Sequence, residues 1–333
     1  MKPFFEPGKT VIVSGIQSSG TLHIGNYFGA IRQHIALQQT HPSYYFIVNY
    51  HAMTTVQDAE QMKAHTLDAA ITYLSLGFDP DKSNLFVQSD VPLLNELTWI
   101  FFCLTPVSHL EKSVAYKDKV AQGLSASCGL FNYPVLQAAD ILIYGGTLVP
   151  VGADQKQHIE MTRDIAQRFN NRFGELFPIP DAYIVESVAT VPGVDSRKMS
   201  KSYGNTIGIF EEKASLTRRV RRIVTDSTPL EAPKDPDKDN VFALIRLFAT
   251  PEKEAELREA YLRGGYGYGH AKQELIRLML DYFETARERR RELLKNPDYV
   301  HDVLRQGAAN ARAVAGECME RVRELTGLIT TYT

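Results

Sequence analysis

Short apolar runs alternate with amphipathic stretches along the first two thirds of the chain. Four of these runs, at residues 10–14, 44–48, 84–88 and 148–151, predict strands. Each is followed by a helix-like stretch, for example residues 59–76 after the second strand. Because strands that alternate with helices of this length form βαβ units, the pattern predicts an α/β fold with a parallel sheet.

The pattern changes after about residue 204, and most of the remaining chain has helical periodicity. One apolar helix face lies within residues 272–294 and has members at i, i+3, i+4 spacing: Leu275, Ile276, Met279, Tyr282 and Phe283. A second face of this kind runs through residues 300–325. We therefore expect an α/β domain at residues 1–205 and an all-helical domain at residues 206–333.

The net charge, the number of cysteines and the lack of long apolar stretches exclude several classes of protein. The 333 residues include 37 Lys and Arg against 39 Asp and Glu, so the net charge of −2 excludes a globally basic nucleic-acid coat but not a local basic patch. Three scattered cysteines form neither a disulfide framework nor a metal motif, which favours a reducing compartment. The sequence shows no signal peptide and no apolar stretch near the roughly 20 residues of a membrane helix. We expect a soluble cytoplasmic protein with no metal ion held by its own side chains.

A loop rich in small residues, SGIQSSGTLHIGN, follows the first predicted strand and leads into a helix. Small residues such as those around Gln17, Ser18 and Gly25 let the backbone approach a ligand closely, and a helix N-terminus attracts anions. His23 and Asn26 are three residues apart, so they face the same side of the helix start, as two donors for one phosphate would. A polar helix cap without ligand-binding function explains the same pattern.

A second candidate anion site lies farther along the chain. It consists of five consecutive residues, Lys198, Met199, Ser200, Lys201 and Ser202. Two lysines three positions apart can place two ammonium groups on a triphosphate, each as a point charge on a flexible stem. Alone, the segment also fits an ordinary solvated loop, but the two loops together favour nucleotide binding.

The two loops resemble the paired motifs of class I aminoacyl-tRNA synthetases, HIGN at residues 23–26 and KMSKS at residues 198–202. Four further segments are similar to the tryptophanyl-tRNA synthetase family: SGIQxSG at 14–20, VPVGxDQxQHIExTRDIAQRFN at 149–170, VTDS at 224–227 and GYGxxK at 267–272. The resemblance implies a Rossmann-like catalytic domain with a dimer-forming insertion, followed by a helical domain that binds the tRNA anticodon. It also implies ATP and Mg²⁺ as cofactors, L-tryptophan and tRNA(Trp) as substrates, and a homodimer.

Residues 132–140 carry polar side chains that suit an amino-acid pocket. Pro134 fits the first position of a helix, which predicts Tyr133 as the cap residue. Tyr133, Gln137 and Asp140 then lie on one helix face at i, i+4, i+7 spacing. The alternative interpretation is a buried structural network at a helix start.

The resemblance gives these residues roles in substrate binding. It implies that Asp140 accepts the indole N–H, that Tyr133 and Gln155 hold the α-amino end, and that Gln17 and His51 lie beside them. The implied reaction needs no nucleophilic side chain. The tryptophan carboxylate attacks the α-phosphate of ATP, and a hydroxyl of the terminal tRNA ribose then attacks the adenylate.

The resemblance extends to the nucleotide contacts. Gly152 permits close approach at the end of a predicted strand, and Asp154 can bind ribose hydroxyls. Lys119, on a predicted surface loop, would reach the ATP phosphates, although a solvated charge is the plain alternative. The candidate catalytic residues are His23, Asn26, Lys119, Lys198 and Lys201. The candidate ATP-binding residues are Gln17, Ser18, Gly25, Asn26, Gly152, Asp154 and residues 198–202.

The sequence is also compatible with other functions. Many tryptophan enzymes have Met where Gln137 stands, and the glutamine is similar to the pocket of tyrosine enzymes. Because an ionised Asp accepts equally from an indole N–H and a phenol O–H, tyrosine is the alternative substrate. A non-catalytic synthetase-like RNA-binding paralogue is expected to have lost His23, Lys198 or Asp154, yet all three are present.

Two arginine-rich runs are candidates for contacts with tRNA. Residues 217–222 contain four arginines, including Arg218 and Arg221, and residues 287–291 contain four more. Such runs are usually solvated helix faces, but they can also bind phosphates without reading bases.

Overall fold

The protein contains a parallel β-sheet at the centre of an α/β unit. The computed structural model describes residues 4–16, 20–111, 127–152, 155–184 and 191–328. Within these residues the sheet has five strands: β1 (Ile12–Ile16), β2 (Ser43–Ile47), β3 (Asn84–Val87), β4 (Leu148–Pro150) and β5 (Asp181–Tyr183). Every strand pairs in parallel, and the order is β3-β2-β1-β4-β5. The chain order therefore reverses beside β1, as in doubly wound nucleotide-binding folds.

Fourteen α-helices lie in the described parts of the chain. The first eight are α1 (Ile24–Asn26), α2 (Arg32–Leu37), α3 (Asn49–Ala52), α4 (Ala59–Ser75), α5 (Leu93–Leu104), α6 (Val107–Leu110), α7 (Cys128–Leu142) and α8 (Lys156–Phe173). The remaining six are α9 (Lys213–Arg221), α10 (Asn240–Phe248), α11 (Pro251–Arg263), α12 (Tyr268–Tyr282), α13 (Glu284–Lys295) and α14 (Pro297–Thr326). None of the described helices has the length and apolarity needed to cross a membrane.

The prediction of an α/β fold with a parallel sheet is confirmed, and four of the five strands lie where the apolar runs placed them. The first strand begins two residues later than predicted. Strand β5 was not predicted, because it is a three-residue edge strand with exposed ends and carries no apolar run of its own. Such a strand is defined by its backbone pairing with β4 rather than by a pattern of buried side chains.

Spatial contacts divide the chain into two compact units. The first unit contains the described parts of residues 1–20, 34–185 and 293–333, including the whole sheet. The second contains those of residues 21–33 and 186–292. This division differs from the sequence-based boundary at residue 205, since α14 belongs to the unit that contains the sheet. The functional assignment of the two predicted domains stays a prediction.

The last helix packs directly against strand β3 in the first unit. The buried face of α14 includes Ala308, Ala311, Ala315 and Cys318, which join the core around the sheet. Gly307 permits the closest approach, because a Cβ at this position would lie 2.1 Å from the carbonyl oxygen of Leu85. The apolar periodicity of residues 300–325 therefore predicted the helix correctly, while its packing partner came from the far end of the chain.

The second unit is held together by packed aromatic side chains. Phe28 and Phe248 pack edge to face, and Phe248 packs in the same way against Tyr282 and Phe283. The predicted continuous stretch at residues 272–294 consists of two helices, α12 and α13, separated at Phe283. The arginine-rich segment therefore lies on a separate helix from the apolar face that precedes it.

Candidate active site

The first group of candidate residues lies in the first unit, at the carboxyl ends of the parallel strands. Helix α3 follows β2 directly, and a short 3₁₀ turn, Gln88–Asp90, follows β3. Helix α7 brings Asp140 to the same place. Ligands of open α/β sheets bind outside the carboxyl ends of the strands, so this cluster occupies the expected position.

Asp140 is a buried carboxylate whose two oxygens are both hydrogen-bonded. The side-chain nitrogen of Gln88 donates to both oxygens at 2.8 Å, and Nε2 of His51 donates to Oδ2 at 2.8 Å. Gln88 is itself fixed, because its side-chain oxygen accepts from the backbone N–H of Tyr50 at 3.0 Å. Burial raises the pKa of Asp140, and the hydrogen bonds from His51 and Gln88 act in the opposite direction. The arrangement presents an oriented acceptor in an otherwise apolar surrounding.

A second chain of polar contacts joins helices α7 and α8. The hydroxyl of Tyr133 lies 3.0 Å from Nε2 of His158, and Nδ1 of His158 donates to the side-chain oxygen of Gln155 at 2.8 Å. His158 is almost completely buried. Its ring contacts the tyrosine hydroxyl through one nitrogen and the glutamine amide through the other, which fixes the orientation of both predicted substrate-binding side chains. His51 and Tyr133 also pack edge to face, with ring centroids 6.1 Å apart.

The expected helix start at Pro134 is wrong. Helix α7 begins six residues earlier, at Cys128, where the hydroxyl of Ser127 caps it by accepting from the N–H of Leu130 at 3.2 Å. Pro134 lies inside the helix, where a proline has no N–H to give to the preceding turn. Tyr133, Gln137 and Asp140 are nevertheless all helical, so the predicted shared face is retained. Gln137 is half-buried there.

The second group of candidates lies in the second unit and begins with His23, the cap residue of α1. The side-chain oxygen of Asn26 accepts from the backbone N–H of His23 at 3.0 Å, so Asn26 orients the cap. The N–H of Ile24 donates to the carbonyl of Ile207 at 3.0 Å. Gly25 allows the next loop to pack closely, because a Cβ there would lie 2.9 Å from Nδ1 of His23 and 3.4 Å from Cβ of Met199. The two sequence motifs therefore meet within one unit.

The His23 imidazole is neutral at physiological pH. The ring is buried, and burial together with the charge of Lys201 lowers its pKa to about 4. Its Nδ1 atom is buried and has no hydrogen-bond partner among the described residues. An unpartnered buried nitrogen is costly, and a ligand that supplied a partner would recover that cost.

The lysine loop has a defined backbone, although its sequence is typical of a flexible segment. The N–H of Met199 donates to the carbonyl of Val191 at 2.9 Å, and Pro192 and Lys198 form an isolated antiparallel bridge. The Met199 side chain is buried, whereas Lys198 is exposed and Lys201 is half-buried. The fixed methionine thus anchors the loop, and the lysine side chains extend from it.

Asn205 holds this loop in place and was not identified as functional from sequence. Its side-chain oxygen accepts from the N–H of Ser200 at 2.8 Å. Its side-chain nitrogen donates to Asp195 at 2.7 Å and to the carbonyl of Lys198 at 3.1 Å. The preceding Gly204 has a φ of 62°, a left-handed conformation that lets the chain turn back so that Asn205 can bond to the loop.

Several predicted site residues lie outside the described residues. They are Gln17, Ser18, Lys119 and Asp154. Of their neighbours, Gly152 is exposed after β4, and its carbonyl accepts from the N–H of Gln155 at 2.9 Å. Within the described ranges, no group of three or more His, Cys, Asp or Glu residues is arranged to hold a metal ion.

Two participants of the amino-acid site were missed from sequence. Gln88 is a polar residue directly after a buried strand, and that position was its only signal. His158 lies within a helix whose apolar face hides it among core residues. The contacts of Gln88 with Asp140 and of His158 with Tyr133 join positions at least 25 residues apart, and only the contact of His158 with Gln155 has a local i, i+3 spacing.

Similarity to known proteins agrees with this geometry. The model of the family of class I tRNA synthetases for tryptophan and tyrosine matches residues 6–284. A tryptophan–tRNA ligase of Fusobacterium nucleatum is 52% identical over 318 residues, which cover 95% of this chain and 98% of that protein. A crystal structure of tryptophanyl-tRNA synthetase from Campylobacter jejuni, complexed with ADP and tryptophan, is 50% identical with a TM-score of 0.92 and covers 96% of this chain and all of that one. The Mycoplasma pneumoniae tryptophanyl-tRNA synthetase is 26% identical with a TM-score of 0.82, covering 96% of this chain and 98% of that one.

Proposed function

This chain belongs to the class I tRNA synthetases for tryptophan and tyrosine, and from that premise we propose that it is a tryptophan–tRNA ligase. The enzyme activates L-tryptophan with ATP to tryptophanyl-adenylate and pyrophosphate, and then transfers the amino acid to tRNA(Trp). The observation that carries this proposal is the buried, doubly hydrogen-bonded Asp140 in a chain 50% identical to a structure that contains tryptophan and ADP.

The amino-acid site selects its substrate through oriented acceptors and donors. Asp140 accepts the indole N–H, and its own donors Gln88 and His51 fix where its oxygens point. Tyr133 and Gln155 hold the α-amino group, oriented through their shared contact with His158. Gln17 and Gln137 complete the substrate set. A site built to satisfy one polar group rejects analogues that lack it, because its own buried groups would then remain unpaired.

The nucleotide is bound by the two sequence motifs. Neutral His23 donates to a phosphate oxygen that gains charge in the transition state, and Asn26 keeps the His23 backbone in place. Lys198 and Lys201 place positive charge on the phosphates, with Met199, Ser200 and Ser202 shaping the loop. The other proposed ATP contacts are Gln17, Ser18, Gly25, Lys119, Gly152 and Asp154.

The chemistry rests on positioning and charge stabilisation rather than on a nucleophilic side chain. The carboxylate of tryptophan attacks the α-phosphate in line, a P–O bond forms, and the bond to pyrophosphate breaks. A ribose hydroxyl of the tRNA then attacks the carbonyl of the adenylate, and AMP leaves. Mg²⁺ would supply charge neutralisation on the phosphates when bound.

We assign tRNA binding to the helical segments after residue 205. Arg218 and Arg221 are exposed on α9, where they can meet phosphates. In the second arginine run, by contrast, Arg287 donates to the carbonyl of Ile209 at 3.1 Å, and the Arg290 guanidinium lies 4.9 Å from the ring of Phe210. Those two side chains therefore support packing, so the first run is the better candidate for RNA.

We also propose a homodimer that acts in the cytoplasm, where ATP and tRNA are available. The exposed side of α5 and α6 carries Trp99 and Val107, which are 67% and 62% exposed. Large exposed apolar side chains on neighbouring helices suit burial against a second copy. Sedimentation of the native chain beside Trp99→Glu tests this; a monomer in both samples would contradict the homodimer.

Amino-acid-dependent ATP–pyrophosphate exchange tests the central proposal. Exchange with tryptophan and not with tyrosine is the expected result, with a preference of about 10⁴-fold. Exchange with tyrosine alone would keep the mechanism but reassign Gln137 and Asp140 to a phenol. Exchange with neither amino acid, from folded protein, would favour a non-catalytic RNA-binding paralogue.

A further inference from the structure

A cavity of about 630 Å³ opens in the first unit beside the carboxyl end of strand β3. Helix α4 forms one wall, and helix α14 forms the opposite wall. Asn49 lines the cavity, and its side chain exchanges two hydrogen bonds with Ser89, the neighbour of Gln88. The cavity volume is within the range of roughly 300–1,000 Å³ that small organic ligands occupy in proteins.

The lining combines an apolar floor with a cationic rim. The floor includes Met62, Leu67, Val87 and Leu304. The cations on the rim are Lys63, Arg305 and Arg312, and a single carboxylate, Asp90, also lines the cavity. A pocket with apolar walls and a few convergent charged groups favours a ligand that has an apolar body and an anionic group.

Two of the three rim cations form only exposed ion pairs, whereas Arg312 donates to the backbone carbonyl of Asp90 at 2.9 Å. Lys63 pairs with Glu60 at 2.9 Å, and Arg305 pairs with Asp302, both as exposed i, i+3 pairs. Surface pairs of this kind contribute little to stability. An incoming anion can therefore recruit both cations without a large loss of existing interactions.

One polar group in the wall lacks a partner. The hydroxyl oxygen of Thr66 is buried and makes no hydrogen bond within the described chain. Thr66 lies one helical turn after Lys63 and lines the same cavity. A ligand with a polar atom near its apolar body would satisfy this hydroxyl.

We propose that this cavity is a second binding site, separate from the amino-acid pocket, for a small organic anion with an apolar body. The floor takes the apolar body, and Lys63, Arg305 and Arg312 take the anionic group. The assignment rests on the cavity and its charges and is independent of the ligase activity proposed above.

The probe that we would use is 8-anilinonaphthalene-1-sulfonate, which has aromatic rings and one sulfonate. Its fluorescence is titrated against the full chain with saturating tryptophan present, so that the amino-acid pocket is occupied. We expect saturable binding with one probe per chain. In Lys63→Gln/Arg305→Gln the probe should bind about tenfold more weakly, since two charge contacts are removed.

A matched control keeps the change in net charge the same. Lys82→Gln/Arg321→Gln removes two cations that also form i, i+3 pairs, with Asp79 and Glu324, but that do not line the cavity. Unchanged probe affinity in this control supports the site. Equal weakening in both double variants, no weakening in either, or a lack of saturable binding in the presence of tryptophan would overturn it.

Thr66→Val provides a second variant that keeps the side-chain shape. We expect it to fold at least as stably as the native chain, because it removes an unsatisfied buried hydroxyl. A probe with a hydroxyl on its ring, such as 6-hydroxy-2-naphthoate, should lose affinity for this variant relative to 2-naphthoate. Equal affinity ratios in the native chain and in Thr66→Val would exclude a hydrogen-bonding role for Thr66.

Discussion

The candidate amino-acid site and the lysine loop are stabilised by different kinds of hydrogen bond. Around Asp140, the functional side chains are themselves buried and hydrogen-bonded to one another through Gln88 and His51. In the lysine loop, the backbone is fixed by a buried amide, Asn205, while the functional ammonium groups extend from it. In the first case the hydrogen bonds join side chains to one another, and in the second the amide side chain of Asn205 bonds mainly to the loop backbone.

This difference matches the chemistry that we propose for each site. Discrimination between amino acids depends on short, directional hydrogen bonds, so every acceptor must be oriented before the substrate arrives. Charge stabilisation of phosphates acts over longer distances and tolerates a mobile stem. An oriented acceptor beside Asp140 and a hydrogen-bonded loop that carries two lysines would together suit an enzyme that selects one amino acid and binds a triphosphate.

Asp140→Asn removes the carboxylate at the centre of the hydrogen-bonded cluster and should have the largest effect. We expect kcat/KM for tryptophan to fall about 10³- to 10⁴-fold, because the Gln88 amide then faces another amide and the indole loses its anionic acceptor. Stability should not fall in parallel, since burial raises the pKa of Asp140 and so the ionised group is costly to bury. Exchange kinetics and urea unfolding measure both, with exposed Asp164→Asn as control. A parallel loss of activity and stability would show that Asp140 is only structural.

His23→Ala tests whether the motif in the second unit acts in the transition state. The expected loss is about 2–4 kcal/mol of transition-state stabilisation, the range for one oriented donor. The loss should fall mainly on kcat for adenylate formation, with the KM for tryptophan nearly unchanged. Adenylate formation at the native rate would remove His23 from the mechanism.

Asn205→Ala removes the hydrogen bonds that hold the loop but leaves both lysine charges in place. We expect a loss of about 2–3 kcal/mol in stability, because several backbone and side-chain groups would lose buried partners. The KM for ATP should rise as the lysines lose a common anchor. The control is Arg197→Ala, which removes an exposed ion pair with Asp195 in the same loop. If the two variants behaved alike, the loop would not depend on its buried amide.

Acidification should weaken both units through buried neutral histidines. Burial lowers the pKa of His23 to about 4 and that of His34 to about 3. Both rings are expected to protonate near 6.5 when unfolded, so their contribution to stability is complete above that pH and declines as the pH falls toward the folded values. At about pH 5, each of these histidines should lower the free energy of unfolding by about 2 kcal/mol relative to its value at about pH 7.5.

His34→Phe should flatten this dependence, since it removes one of the two protonation sites. The exposed His301→Gln serves as control. An unchanged pH dependence in His34→Phe would show that other groups control the acid response.

Arg218→Gln/Arg221→Gln should have the smallest effect, confined to RNA. We expect the KM for tRNA to rise several-fold. The slope of log KM against log salt concentration should decrease by the equivalent of up to about two phosphate contacts. Tryptophan activation without tRNA should stay at the native level. Arg258→Gln/Arg277→Gln, whose guanidinium groups are already held by carboxylates, is the control. A salt slope equal to that of the control would exclude the first arginine run from the tRNA interface.

Local signals in the sequence predicted much of this protein. Apolar runs located β1 to β4, and helical periodicity located α14 through its buried alanines and Cys318. The two motifs around His23 and Lys198 identified the family, since their residue types and order are specific. These features can be predicted from the sequence because each depends on residues that are close together along the chain.

Tertiary structure decided which distant residues became partners. Gln88 and His51 meet Asp140, His158 meets Tyr133, and α14 packs on β3 through Gly307. It also extended α7 past Pro134, because capping by Ser127 and burial of the helix outweighed the missing N–H. Hydrogen bonds and close packing depend on positions in space, and residues far apart in sequence carry no periodic signal of one another. The sequence therefore determined the elements and the chemistry of the motifs, whereas the fold determined the network that orients them.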